Sequence, residues 1–298
     1  MEKDIIILIS TCERYRPVAE WTRKCIDQNW ENHPPVRVCG LQSETSTTHD
    51  SRDWMSLTLE GVNAAHAKGI KWIYLILDDL PPVGLCASRH LNETLPKLAE
   101  ERQAVNIGLL GWGQRRGNEG VILSRNHGCL LRNNPDYRWK FSLHPGLWSV
   151  SALRELLEIR RTQFPPGQRT PWNFERRIDL PGDSVPPWML ENTYRVHGNS
   201  MAQSWRVPAI IGLEAFLAMF DIWRFLLRIL RGQTSRENFD RNNLWLYHYY
   251  RGPYPIFWSG AVRQGKPHQE FEKFLKFTMR HQLLHEWRTT SELFQRTC

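Results

Sequence analysis

Apolar runs that alternate with helical segments dominate the first third of the chain and restrict the folds open to it. Residues 4–10 (DIIILIS) and 72–77 (WIYLIL) are rich in β-branched and other apolar residues, as is typical of strands buried on both faces. Helical spacing covers 17–29 and 52–69, with a shorter strand at 36–41 between them. Because strands joined by helices in this order form parallel sheets, the sequence predicts an α/β fold with a mostly parallel, Rossmann-type sheet flanked by helices.

The same alternation continues beyond the third strand. Residues 95–105 have helical spacing, and 106–112 form another apolar run that we expect to be a strand. The stretch HPGLWSVSALRELL (144–157) contains Pro145 and Gly146, which predict a bend, and helical spacing then begins at about Ser149.

Composition and charge narrow the class of protein. Aromatic residues make up 11% of the 298 residues, which favours a packed fold over disorder. The formal charge is +8, and it belongs to the second half: residues 151–298 hold 21 Lys/Arg against 14 Asp/Glu, whereas residues 1–150 hold 18 against 17. A basic second half indicates either an anionic partner or a solvated basic surface. The six cysteines form no C-x-x-C pair and indicate reduced thiols of a cytosolic protein.

Two adjacent carboxylates, Asp78 and Asp79, follow the third strand directly. Ligands of open α/β sheets bind outside the carboxyl ends of the strands. Neighbouring carboxylates repel each other unless a positive charge lies close to them, and a divalent metal that carries a diphosphate meets this need. A helix cap or turn is the simpler explanation of the same pair.

An ordered set of motifs resembles those of the GT-A fold glycosyltransferases, and more narrowly those of small bacterial enzymes that build capsular or lipopolysaccharide glycans. The motifs are ISTCERY (9–15), RDWMSLTLEG (52–61), YLILDDL (74–80), HPGLWSVSALRELL (144–157), TPWNFE (170–175) and, more weakly, IFWSGAVRQGK (256–266). The resemblance covers roughly residues 5–175.

The resemblance implies an enzyme that moves a sugar from a nucleotide-diphosphate sugar, expected to be a UDP-sugar, to a hydroxyl group of a glycan in surface polysaccharide synthesis. It implies that Asp79 holds Mn²⁺ or Mg²⁺ and the diphosphate, and that Asp78 contacts the ribose or the hydration shell of the metal. Leu77 stands where the fuller acidic motif of these enzymes has a third carboxylate, so the expected metal site rests on Asp78 and Asp79 alone.

The resemblance also implies donor-binding residues near the first and third strands. Thr11, Cys12 and Arg14 follow the first strand, where a hydroxyl group and an arginine can bind a nucleoside and a phosphate, although an ordinary turn explains them equally well. Asp53 and Trp54 open the second helix, where Asp53 is expected both to cap the helix and to lie near the nucleoside.

The remaining expected site residues lie between 109 and 179. Trp148 is expected to face the sugar pocket, with a core tryptophan as the alternative. Glu175 is the expected base that takes the proton of the acceptor hydroxyl, and Asp179 is the second choice. A salt bridge between Glu175 and a neighbouring arginine is the alternative. Arg115 and Arg116, in a glycine-containing loop, are expected to contact the diphosphate.

The second half suggests contacts with other molecules. Residues 209–231 predict an apolar helix with a charged stripe, which fits either core or dimer packing or a position in the membrane interface.

We therefore expect a GT-A-like domain over 1–205 and a helical, aromatic-rich part over 206–298, of which 255–266 returns to the first domain. The expected location is cytoplasmic, with peripheral attachment to the inner face of the plasma membrane. The acceptor would be a glycan or a lipid-linked glycan.

Two other functions compete with this interpretation. A nucleotidyltransferase acting on sugar phosphates would share the parallel sheet and the acidic metal site, but it usually has a glycine-rich loop after the first strand, and ISTCERYRP (9–17) is not glycine-rich. A basic, aromatic-rich protein that binds single-stranded nucleic acid fits the composition. No motif of a nucleic-acid-binding domain accompanies it, so no nucleic-acid partner is expected.

Overall fold

A computed structural model describes residues 4–41, 53–110, 121–124, 128–133, 140–175, 185–197, 249–250 and 252–296. Its strands are β1 (Ile5–Ser10), β2 (Val36–Cys39), β3 (Trp72–Leu77), β4 (Asn106–Gly108), β5 (Val121–Ser124), β6 (Gly128–Arg132), β7 (Gly146–Ser149), β8 (Thr193–His197), β9 (Tyr249–Tyr250), β10 (Ile256–Phe257), β11 (Val262–Arg263) and β12 (Lys266–Pro267). Its α-helices are α1 (Arg16–Asn29), α2 (Trp54–His66), α3 (Leu95–Glu101), α4 (Val150–Gln163), α5 (Pro171–Glu175), α6 (Pro187–Glu191), α7 (Gln269–Phe277) and α8 (His281–Arg296).

The first eight strands form one sheet in the order β2-β1-β3-β7-β4-β8-β6-β5. β1 pairs in parallel with β2 and β3, and β4 pairs in parallel with β8. β7 and β6 run against their neighbours, so six of the eight strands share one direction. The prediction of a mostly parallel α/β sheet is therefore confirmed at this level.

Alternate residues of β1 and β3 enter two separate cores, one on each face of the sheet. Ile7 and Tyr74 pack in the core covered by α1 and α3, whereas Leu8 and Leu75 pack in the core covered by α2 and α4. All six residues of β1 are buried. Because both faces are covered, these strands need apolar residues along their length, as the two apolar runs predict. Ser10, at the end of β1, is the exception, and its buried hydroxyl is hydrogen-bonded to that of Thr58.

The segment that begins at Gly146 differs from its prediction. Gly146–Ser149 is not a bend but strand β7, which lies antiparallel between β3 and β4, and α4 begins at Val150. Leu147 and Trp148 point into opposite cores. A strand of four residues is too short to show a period of its own, which is why the proline and glycine before it suggested a bend.

The C-terminal part carries the predicted aromatic cluster, and its backbone is hydrogen-bonded to the segment that follows β3. The Val83 N–H donates to the Pro255 carbonyl at 2.9 Å, and the Ala87 N–H donates to that of Pro253 at 2.8 Å. Helix α8 packs on α1 through this cluster. Three of its rings are mutually in contact, with centroid separations of 4.9 to 5.9 Å: Trp21, Phe271 and Trp287.

Within the described ranges, no helix combines the length and the apolarity that crossing a membrane requires. The apolar helix predicted over 209–231 and the expected domain boundary at 205–206 both lie outside the described residues. Those two expectations therefore stay predictions.

We expect Trp287→Ala to lower the free energy of unfolding by about 3–5 kcal/mol, because it removes a buried indole from the α1–α8 contact. Trp287 is 1% exposed, whereas Leu293 on the same helix is 48% exposed. Leu293→Ala is therefore the matched control, with a change within about 0.5 kcal/mol. Urea unfolding measures both values. A loss below 1 kcal/mol for Trp287→Ala would mean that α8 contributes little to stability.

Candidate functional site

The first carboxylate, Asp78, is fixed against the end of β1. The parallel register aligns Ser10 with Leu77, so the two strands end together. Thr11 Oγ1 consequently lies 2.5 Å from Asp78 Oδ2 and donates a hydrogen bond to it, and the Asp78 N–H donates to the Ser10 carbonyl at 3.3 Å. The Thr22 hydroxyl donates to the Asp78 carbonyl. Asp78 is thus held by the strand next to it.

The second carboxylate, Asp79, lies against the returning C-terminal segment. The Asp79 carbonyl accepts the N–H of Ala261 at 2.8 Å. Gly260 has a φ of +79°, and a Cβ there would lie 2.3 Å from Asp79 Oδ2. Only glycine combines this backbone conformation with so close an approach to the carboxylate. Asp79 also lines a cleft of about 680 Å³, a volume in the range of small-molecule sites.

Burial makes both carboxyl groups poor anions in the unliganded protein. It raises the pKa of Asp78 well above the usual range, and the neighbouring Asp79 raises it further. Burial also raises the pKa of Asp79 to about 7. A cation beside them would reverse this effect, since an opposite charge favours the ionised form.

The two carboxylates, Asp78 and Asp79, fit a cation that is also bound by a phosphate ligand. Among the described residues, no group of three or more His, Cys, Asp or Glu side chains could hold a metal ion. Asp79 lines the cleft, whereas one oxygen of Asp78 is engaged by Thr11. Mg²⁺ commonly binds one or two carboxylates and completes its shell with phosphates and water. Asp79, supported by Asp78, suits that kind of site.

Glu175 lines the same cleft as Asp79. Phe174 is buried and contacts the rings of Trp54 and Trp148 at centroid distances of 5.5 and 6.2 Å, which fixes the short helix α5 on the core. Glu175 therefore ends α5 at the cleft. Trp172, on the same helix, also lines the cleft and is 76% exposed.

The residues before β7 hold the Glu175 carboxylate. Because β7 is antiparallel to β3, its start lies at the edge where β3 ends. The Leu143 N–H donates to Glu175 Oε1 at 2.5 Å, and Ser142 Oγ lies 3.3 Å from the same oxygen. Burial raises the pKa of Glu175, and the hydrogen bond from the Leu143 N–H opposes the rise. A proton donated by the Ser142 hydroxyl would oppose it further.

His144 joins this wall to the C-terminal segment. Its Nδ1 lies 2.7 Å from Ser142 Oγ, and its Nε2 lies 3.2 Å from the carbonyl oxygen of Trp258. Burial lowers the pKa of His144 to about 4, so the ring is neutral at pH 7. Sequence analysis missed Ser142, His144, Trp258 and Gly260. The motifs at 144–157 and 256–266 contain three of them, but no spacing links them.

The loop after β1 contributes residues that do not line the cleft. Cys12 is half-buried, and burial together with the charge of Asp78 raises the pKa of its thiol. The Arg14 guanidinium reaches the β11–β12 turn, where a Cβ on Gly265 would lie 3.3 Å from its Nη2. Of the three residues predicted here, Thr11 donates a hydrogen bond to a predicted carboxylate, Asp78.

Three of the residues expected to bind the donor cap a helix or pack in the core. Asp53 accepts the Ser56 N–H at 3.1 Å, which confirms the helix cap, and its other oxygen pairs with Arg169 at 2.9 Å. Trp54 is 6% exposed and packs in the core below α2. The expectation that Trp148 faces a sugar pocket is wrong, because β7 directs this fully buried side chain into the core. Asp179, Arg115 and Arg116 lie outside the described residues.

Comparisons with protein-family models, with curated proteins and with solved structures found no match to this chain.

We expect His144→Asn to flatten the pH dependence of stability on the acid side. His144 has a pKa of about 4 in the folded protein and 6.5 as its ordinary value, so the unfolded chain binds the extra proton first. The wild type loses stability as the pH falls from about 6.5 to about 4, by at most about 3 kcal/mol, and the variant lacks this contribution.

Urea unfolding at pH 4 to 8 measures the free energy of unfolding of both proteins. His285→Asn, at an exposed position on α8, is the control. The buried carboxyl groups contribute with the opposite sign in both proteins, so the difference between wild type and variant, rather than the wild-type curve alone, reports the loss of the His144 contribution. Parallel curves for wild type and His144→Asn would contradict the neutral, buried state of this ring.

Proposed function

We propose that this protein is a GT-A-like glycosyltransferase that moves a sugar from a nucleotide-diphosphate sugar to a hydroxyl group of a glycan. The observation that carries the proposal is that Asp79 and Glu175 line one cleft at the carboxyl edge of the sheet. Ligands of such sheets bind at this edge. One carboxylate can serve the diphosphate and the other the reacting hydroxyl, which are the two tasks of sugar transfer.

The donor end of the cleft is the end that Asp79 forms. A diphosphate leaving group gathers negative charge as its bond to the sugar breaks. Asp79, together with the diphosphate, would hold Mn²⁺ or Mg²⁺, which would supply positive charge to that leaving group. Arg263 also lines the cleft and is exposed, so its guanidinium is available to the same phosphates.

The acceptor end is the end that Glu175 forms. The oxygen of the acceptor hydroxyl bonds to the anomeric carbon, the bond from that carbon to the diphosphate breaks, and the diphosphate leaves with the electron pair. Glu175 takes the hydroxyl proton, and the raised pKa of this buried carboxyl group makes it a stronger base than an exposed glutamate. The exposed indole of Trp172 offers the electron-rich aromatic face that attracts the C–H bonds of a sugar ring.

The finer parts of the proposal concern the donor base, the acceptor and the location. The sequence resemblance implies a UDP-sugar donor and a glycan acceptor in surface polysaccharide synthesis. The cysteines suggest a cytoplasmic location, and the apolar helix predicted over 209–231 suggests a lipid-linked acceptor at the inner membrane face. The experiments below test the donor directly, and product analysis distinguishes sugar transfer from nucleotidyl transfer to a sugar phosphate.

Asp79→Asn is expected to weaken donor binding, whereas Glu175→Gln is expected to lower turnover. Asp79→Asn should weaken UDP binding in the presence of Mn²⁺ at least tenfold, because it removes the charge that holds the cation. Glu175→Gln should leave that affinity within about twofold but lower kcat by about 10² to 10⁴. Thermal shift and calorimetry with UDP, GDP and CMP, with and without Mn²⁺, followed by transfer assays, measure both.

Glu158→Gln on α4, where the side chain is 46% exposed and pairs with Arg154, is the matched control for both variants. Stabilisation by oligonucleotides but by none of the three nucleotides would replace the proposal with a nucleic-acid-binding function. Unchanged UDP affinity in Asp79→Asn would remove Asp79 from the donor site.

Gly260→Ala should damage donor binding more than stability. The new methyl group would meet Asp79 Oδ2, so the carboxylate has to turn away from its present position. Gly167 has a similar φ of +85°, and a Cβ there meets no atom within 4 Å. Gly167→Ala therefore carries the conformational cost alone, about 1–2 kcal/mol. We expect similar losses of stability in the two variants and at least a tenfold loss of UDP–Mn²⁺ affinity in Gly260→Ala only. Equal affinities would show that the position of Asp79 does not matter for the donor.

A further inference from the structure

A chain of polar contacts runs from Glu175 to the C-terminal segment. Glu175 Oε1 lies 3.3 Å from Ser142 Oγ, Ser142 Oγ lies 2.7 Å from His144 Nδ1, and His144 Nε2 lies 3.2 Å from the Trp258 carbonyl oxygen. Three separate segments, represented by Ser142 and His144, by Glu175 and by Trp258, are thus joined around the base of the proposed reaction.

The Trp258 end of the chain fixes the tautomer of His144. A carbonyl oxygen only accepts hydrogen bonds, so the hydrogen on the histidine ring must be on Nε2. A neutral ring carries a single N–H, which leaves Nδ1 with a lone pair. Nδ1 therefore accepts, and the only proton that Ser142 Oγ can donate goes to it at 2.7 Å.

The orientation of the Ser142 hydroxyl then determines what Glu175 meets. Because the hydroxyl proton points to His144, Ser142 Oγ turns a lone pair toward Glu175 Oε1. The Leu143 N–H, at 2.5 Å, is left as the close donor to this oxygen. A lone pair beside a carboxylate disfavours its ionised form and gives its protonated form a partner, so the carboxylate becomes a better proton acceptor.

We propose that Ser142 and His144 are positioning residues that keep Glu175 basic, with neutral His144, anchored on the Trp258 carbonyl, holding the Ser142 hydroxyl proton away from the carboxylate. The part that concerns sugar transfer rests on the proposed function, whereas the proton arrangement does not. Trp258 belongs to the segment whose Gly260 touches Asp79, so one segment steadies both ends of the cleft.

Two other ionisable groups line the same cleft. Their influence on the Glu175 titration has to be distinguished from that of Ser142 and His144. Asp79 titrates near neutral pH and Arg263 is cationic, and both line the cleft with Glu175 and His144. Neither changes in the variants described next, so differences between variants report Ser142 and His144.

The first test measures the wild-type protein directly. Nitrogen-15 NMR of the histidine rings at pH 7, with His144 assigned from the spectrum of His144→Phe, should show His144 neutral with its proton on Nε2. A proton on Nδ1, or a doubly protonated ring, would overturn the proposal without any assay of activity.

The second test follows the Glu175 carboxyl carbon by carbon-13 NMR against pH, with the signal assigned by its loss in Glu175→Gln. His144→Phe frees the Ser142 hydroxyl to donate to Glu175. The titration midpoint of Glu175 should therefore fall by about 0.5–1 pH unit. Ser142→Ala/His144→Phe should titrate like Ser142→Ala, because His144 acts only through the hydroxyl. Ser151→Ala, at an exposed position on α4, is the control.

Equal shifts from His144→Phe with and without the Ser142 hydroxyl would overturn the proposal, since His144 would then act by another route. In transfer assays, the acidic limb of the pH profile of kcat should move with the Glu175 midpoint in each variant. If the NMR results hold and no sugar transfer is found with any donor, the proposed function fails and the proton arrangement stands.

Discussion

The pairing of β1 with β3 is the constraint on which the rest of the site depends. Six consecutive residue pairs, from Ile5 with Trp72 to Ser10 with Leu77, place the ends of both strands at one level. The residues that follow therefore meet, and the Thr11 hydroxyl holds Asp78 while Asp79 turns to the cleft. A register shift of one residue would exchange the two cores along each strand and carry the carboxylates away from this level.

The elements that sequence analysis predicted well are those with long apolar patterns. β1, β3, α1 and α2 each repeat their apolar residues often enough to reveal a period, and their bounds agree with the structure within a few residues. β7 has only four residues and lies between a proline–glycine pair and a helix, so no period was visible. Its antiparallel insertion is what brings Ser142 and His144 to the carboxyl edge, and these two residues were missed with it.

The candidate site was predicted in half of its parts for the same reason. Asp78, Asp79 and Glu175 stand in local motifs, and two of the three line the cleft. Trp148 stands in a motif as well, but in a chain with 14 tryptophans the sequence alone does not separate a core ring from a ligand-facing one. The contacts of His144 with Trp258 and of Gly260 with Asp79 join residues more than a hundred positions apart, and no local pattern encodes such pairs.

The contact between Gly260 and Asp79 has a consequence for the order in which the cleft is assembled during synthesis. The carboxylates leave the ribosome early, whereas the residues that enclose them are translated about 180 positions later. A nascent chain that has completed β1 and β3 still lacks Gly260, which lies against Asp79. It also lacks the Trp258 carbonyl, which orients His144. The cleft is thus incomplete until the segment that contains Trp258 and Gly260 has been translated.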